Sequence, residues 1–160
     1  MSNLPSINIK RIKEVSFLID EISIGAGANR SIKMEIGQKL GFAFPVNFIE
    51  LTISIYYYFE DTVPHKKLCE IVVQNIFEVA SLVDYKIGDN EIRLPKETIS
   101  IAFSAAISHT RALLSTHLMG TSLELPFLID SSEVARHFYP KMFEEKQNTA
   151  DLIPTHKLMG

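Results

Sequence analysis

Five histidines, one cysteine and a scatter of serines are the groups in this 160-residue chain suited to acid–base, nucleophilic or metal chemistry. The histidines stand at His65, His109, His117, His137 and His156. Two metal ligands on one helix face sit about four residues apart, whereas His109 and His117 are eight apart. Packed or surface structural roles fit each of them better than ligation. Cys69 has no partner in a Cys-x-x-Cys spacing and reads as a small buried hydrophobe. Gly25 and Gly27 lack the third glycine and the following helix of a phosphate-binding loop. Ser104, Ser108 and Ser115 lack the flanking glycines of a nucleophile elbow. The expectation is a non-enzyme, without catalytic, metal or cofactor site.

The aromatic run Tyr56-Tyr-Tyr-Phe59 is chemically more suggestive, because it sets Tyr56 and Tyr58 on one strand face and Tyr57 and Phe59 on the other. One pair packs in a core. The other is either a cross-strand ladder or an amphipathic surface for apolar segments.

The elements that position these residues read as strands first and helices after. Ile7 to Ile19 alternates well enough for a strand broken near Arg11, with Val15, Phe17 and Ile19 in one phase. Ile24 to Arg30 reads as a loop through its glycines. Ile32, Met34 and Ile36, then Leu40, Phe42 and Phe44, make a second strand, with a bulge expected near Gly37 and Gly41. From Asn47 to Glu60 the odd positions Ile49, Leu51, Ile53, Ile55, Tyr57 and Phe59 are apolar, the signature of a strand buried on one face. After the turn Asp61–His65, a fourth strand runs over 67–82, apolar on both faces.

After the polar turn 84–90 the period changes. A helix opens at Leu94-Pro95 and closes at Met119-Gly120. Between Thr98 and Met119 its only formal charge is Arg111, so it has no charged face and needs cover on more than one side. The second cover is either another subunit, approached across the small residues Ala102, Ala105 and Ala112, or the second helix and tail of the same chain. Asp130 to Glu133 reads as a capping box for that second helix, which continues to about Lys146 with an interruption at Pro140. A mobile tail is expected after Gln147. The whole is one α+β domain over 1–160, with its core over about 6–146 and its tail at 147–160.

Composition agrees with a globular chain: 46% hydrophobic, 22% charged, net charge −3. That charge gives no footprint for nucleic acid and no polybasic membrane anchor. The N-terminus lacks a charged segment followed by an apolar one, and no run reaches the length of a membrane span. With a single cysteine, the expected setting is reducing and cytoplasmic.

Three stretches resemble the bacterial export chaperone family SecB: Ile9-Lys-Arg-Ile12 with Val15-Ser-Phe17, Leu68-Cys-Glu-Ile71 with Ile76-Phe77, and Arg111 to Thr121 with Leu125-Pro126 and Ile129. The resemblance spans about Ser6 to Phe138. It implies a four-stranded antiparallel sheet followed by a long helix and a second C-terminal helix, assembled as a dimer of dimers with the long helices between sheets. It implies an ATP-independent holdase for unfolded or pre-export polypeptides, or a dedicated interaction module on the same fold, such as a toxin–antitoxin chaperone. Candidate client-binding residues are Ile22, Ile24, Tyr56, Tyr58, Val134, Phe138 and Phe143, each of which also fits a core or oligomer contact. Glu14, Leu68 and Glu70 match the family's docking patch for the SecA motor. Leu18 stands where that patch is acidic, and Lys13, Lys66 and Lys67 add positive charge.

Overall fold

Four long alternating segments become four long strands: β1 (Ile7–Ile19), β2 (Ile32–Ala43), β3 (Phe48–Phe59) and β4 (Lys67–Val79). The structure, a computed structural model, describes residues 3–26, 30–89, 91–121, 152–154 and 156–157. All three long pairings are antiparallel, in the spatial order β1-β4-β3-β2. Period two fixes the outcome, since an antiparallel sheet can bury one face and wet the other. On β3 every odd residue from Ile49 to Phe59 is buried, opposite Ile71, Val73 and Phe77 of β4.

Strand β1 carries two register slips, between Ile9 and Arg11 and between Glu14 and Ser16. The first is the break expected near Arg11. The second is not legible in the alternation, and it throws Val15 out of phase with Phe17 and Ile19: Val15 is 55% exposed, while the other two pack on the core. No bulge interrupts β2, which pairs with β3 without a slip from Ile32–Phe59 to Ala43–Phe48. Its apolar residues share one parity, so the glycines leave the register alone. Gly37 is there for closeness, because a Cβ at that position would stand 2.4 Å from Ser54 Oγ.

The expected loop at Ile24 is instead a short helix, α1 (Glu21–Ala26). A small hairpin starts in the expected polar turn and ends beyond it, with β5 (Lys86–Gly88) inside and β6 (Glu91–Arg93) just after. The long helix α2 (Lys96–Leu118) begins and ends where the sequence places it, and Gly120 takes the positive φ of +82° that suits glycine after a helix. It buries Ile99, Ala102, Phe103, Ala106, Ile107, Thr110, Leu114 and Leu118 against β3 and β4. A free tail is the sequence expectation after Gln147; instead Leu152–Pro154 forms β7, paired with β6, and His156–Lys157 forms β8, parallel to the outer edge of β2. The second helix expected over 130–146, with Val134, Phe138 and Phe143, lies outside the described residues.

A buried polar link crosses the helix–sheet interface. Asn75 is fully buried on β4; its amide donates to the Leu51 carbonyl at 3.3 Å and its Oδ1 lies 2.9 Å from His109 Nδ1 on α2. Because the amide nitrogen faces the carbonyl, Oδ1 accepts and His109 carries its proton on Nδ1.

Candidate functional site

Antiparallel pairing brings four chain ends to one end of the sheet: the finish of β1, the start of β2, the finish of β3 and the start of β4. Helix α1 and the turn at 61–66 sit there too. Asp20 opens α1 as its cap, accepting from the Ser23 amide at 3.0 Å and from the Ser23 hydroxyl at 2.7 Å. Lys66, from the turn, reaches Asp20 Oδ2 at 2.8 Å and donates to Ser23 Oγ at 2.9 Å. The Lys66 ammonium and then the Ser23 donors hold the Asp20 carboxyl far below the ordinary carboxylate range. This clasp fixes α1 to the turn.

Around the clasp the surface is apolar. Leu18 is 65% exposed, Ile22 86% and Val63 92%. Across the sheet, at the start of the opposite edge strand β2, a cavity of about 480 Å³ is lined by Ser31, Ile32, Lys33 and Met34. Ion pairs rim this end of the sheet: Arg30–Asp61 at 2.6 Å and Lys33–Glu60 at 2.8 Å. The Arg30 guanidinium also lies 3.8 Å over the Phe59 ring. Lysine and arginine donors lower the Glu60 and Asp61 carboxyls, so both stay ionised at neutral pH. Exposed apolar groups with a charged rim suit the binding of apolar polypeptide better than bond-making chemistry.

The candidate residues divide. Of the two isoleucines on α1, only Ile22 is open to solvent; Ile24 is 6% exposed and belongs to the core, because the helix turns it under the sheet end. Tyr56 and Tyr58 share the open face of the sheet, as their parity requires. Both hydroxyls donate to Glu35, Lys67 lies 4.7 Å over the Tyr56 ring, and His65 lies 4.4 Å from that of Tyr58. Glu35 accepts both phenols, which lowers its carboxyl and pushes the Tyr56 phenol up to about 12. The pair is a closed polar–aromatic cluster, and Tyr58 is itself buried.

Glu14, Leu68 and Glu70 do not form one patch. Glu14 lies on the helix side, against His117 at the end of α2, whose ring stacks on Phe17 at 4.0 Å. Glu70 is on the open face, ion-paired with Lys67, and Leu68 is 1% exposed. The slip at Val15 and the slip between Tyr57 and Tyr58 separate what adjacency in the sequence joins. Of the small helix residues, Ala102 is buried against the sheet, Ala105 is half-buried, and Ala112 is exposed. Ala102 is therefore a core residue.

Two exposed apolar sets escape the sequence reading. Ile9, Ile12 and Val15 lie along β1, which has no strand on its outer side among the described residues, and Ile101 lies on α2 with Met119 just after its last turn. The slips in β1 hide the first set from any period-two count. Among the described residues no group of three or more His, Cys, Asp or Glu is placed to hold a metal ion. Burial pushes the Cys69 thiol up to about 11, leaving it protonated and weakly nucleophilic.

No family model and no curated protein matches the chain. Among solved structures, it is similar to the SecB-like chaperone of Mycobacterium tuberculosis in complex with a ChAD peptide from the antitoxin HigA1. That similarity has 11% identity and a TM-score of 0.46, and covers 77% of this chain and 88% of the other.

Proposed function

We propose that this chain is a polypeptide-binding protein that holds apolar, extended segments at the α1 end of its sheet, as an ATP-independent holdase of the cytoplasm. The observation that carries the reading is the exposure of Leu18, Ile22 and Val63 around the Asp20–Lys66 clasp. Extended clients need adaptable apolar surface more than shaped polar pockets. The outer edge of β1, unpaired among the described residues, and the outer face of α2 are the surfaces for assembly with further copies, as the dimer-of-dimers expectation requires. Docking to SecA through Glu14, Leu68 and Glu70 has no support in this geometry.

The test is suppression of aggregation. The chain, substoichiometric to equimolar and without ATP, should delay aggregation of several unrelated chemically unfolded proteins. Replacing Ile22 and Val63 with Ser should weaken the effect while leaving the circular dichroism spectrum unchanged. Failure with every client at tenfold excess refutes the general holdase. The dedicated-partner reading is favoured by the ion-paired rim, which limits the open apolar area. It predicts tight binding of one native polypeptide, lost in the same Ile22 and Val63 variants.

A further inference from the structure

Between the sheet and α2 stand two hydrogen-bond donors with no acceptor among the described residues. One is the hydroxyl of Tyr57, a fully buried side chain; the other is the Arg111 Nε, buried as well. They belong to one place. Arg111 follows Ile107 by four residues and precedes Leu114 and Leu118 by three and seven, and all three are buried, so its stem borders the stripe of α2 that rests on the sheet. Its guanidinium is close enough to Tyr57 to act on the phenol.

The facing strands supply no counter-charge. Helix α2 packs on β3, β4 and β1. The residues level with the buried odd positions of β3 are uncharged on both neighbours, at the even positions Ile32 to Phe42 of β2 and the odd positions Cys69 to Phe77 of β4. On β1 the acid on the helix side, Glu14, is taken by His117. Glu97, on α2 itself, is fourteen residues and about 21 Å from Arg111. A guanidinium partly withdrawn from water ordinarily finds a carboxylate, and a buried phenol ordinarily finds a partner.

Protonation decides what kind of partner fits. Arginine only donates. Burial first and Cys69 second push the Tyr57 phenol up to about 12, against a lowering by Arg111, so the hydroxyl keeps its proton at neutral pH. The phenol oxygen could accept from Nε, yet the two groups do not bond to each other. A group that accepts from both is required. Water can accept twice but leaves the charge uncompensated; an anion does both.

We propose that Tyr57 and Arg111 form a binding site for a small monovalent anion, chloride or a short carboxylate, which accepts from the phenol hydroxyl and from Nε and neutralises the guanidinium at the α2–β3 interface. The site is separate from the apolar surface around Ile22 and does not depend on a polypeptide-binding role.

Thermal unfolding of the full chain tests it, followed by circular dichroism at pH 7 and fixed protein concentration. Sodium chloride or sodium formate replaces sodium gluconate, whose anion is too bulky for a helix–sheet interface, at constant ionic strength. The wild-type Tm should rise by about 3–6 °C when the anion is at ten times its dissociation constant, and the stronger of the two responses identifies the anion. Tyr57→Phe should raise that dissociation constant about tenfold or more. In gluconate the same variant should unfold at or above the wild-type temperature, because it removes an unsatisfied hydroxyl. Arg111→Gln should abolish the response. If Arg111→Gln does not fold, the wild-type Nε–H resonance of Arg111 carries the test: it should shift saturably with the anion and exchange more slowly with water.

Three results would each overturn the site. One is an equal wild-type Tm in all three salts. Another is a rise that survives unchanged in both variants, since the anion then acts elsewhere. The third is a loss in Tyr57→Phe that is the same in gluconate as in chloride and formate, since the hydroxyl is then satisfied within the chain.

Discussion

Asn75→Ala is the substitution that most directly probes how α2 is held on the sheet. Asn75 is wholly buried, with its amide on the Leu51 carbonyl at 3.3 Å and its oxygen 2.9 Å from His109 Nδ1. The Leu51 carbonyl stays within the sheet and loses a weak second donor. His109 loses its only described acceptor for a half-buried N–H, a deficit of about 1–3 kcal/mol. The void left by the amide adds about 1 kcal/mol. The sum, about 3 kcal/mol, corresponds in a chain of this length to a fall in Tm of about 6–12 °C. Thermal unfolding should be followed by circular dichroism at fixed protein concentration, because any assembly makes Tm concentration-dependent. A cycle with His109→Ala isolates the bond itself, with an expected coupling of about 1 kcal/mol. If Asn75→Ala lies within about 0.5 kcal/mol of wild type, or the cycle is additive, the polar link does not hold the helix.

His109 supplies a pH prediction. Burial lowers its pKa, so the unfolded chain binds the proton more readily. The stability it contributes is complete above the unfolded value of about 6.5 and is lost as pH falls through the lowered folded value. Urea midpoints between pH 7 and pH 5 should fall less steeply in His109→Gln than in wild type, and equal slopes would refute the assignment. The two α1 isoleucines should behave oppositely. Ile24→Ser, at a core position, should cost about 3 kcal/mol, whereas Ile22→Ser should stay within about 0.5 kcal/mol. Equal losses in chemical denaturation would mean that α1 does not pack as described.

Much of the fold follows from local pattern. A twelve-residue alternation over Phe48–Phe59 leaves the chain one way to hide its odd positions, and it becomes a strand whose odd residues are all buried. The helix over 96–118 follows equally from the proline before its first turn and the glycine after its last, around a stretch whose only formal charge after residue 97 is Arg111. These features are legible because hydrophobic period and turn chemistry act between neighbours in sequence.

The candidate site was only half legible, since its residues depend on registers that no local pattern contains. A single extra residue at Val15 reverses which side chains face the helix, and it parts Glu14 from Glu70. Whether Ile22 or Ile24 faces solvent is set by the clasp between Asp20 and Lys66, 46 positions apart in the chain. Tyr56 and Tyr58 look like open aromatic surface until Glu35, on the neighbouring strand, takes both hydroxyls. The sequence by itself determined which segments are strand and helix, and which parity of each is apolar. Tertiary structure alone decided which apolar groups stay exposed, because exposure depends on what another part of the chain places above them.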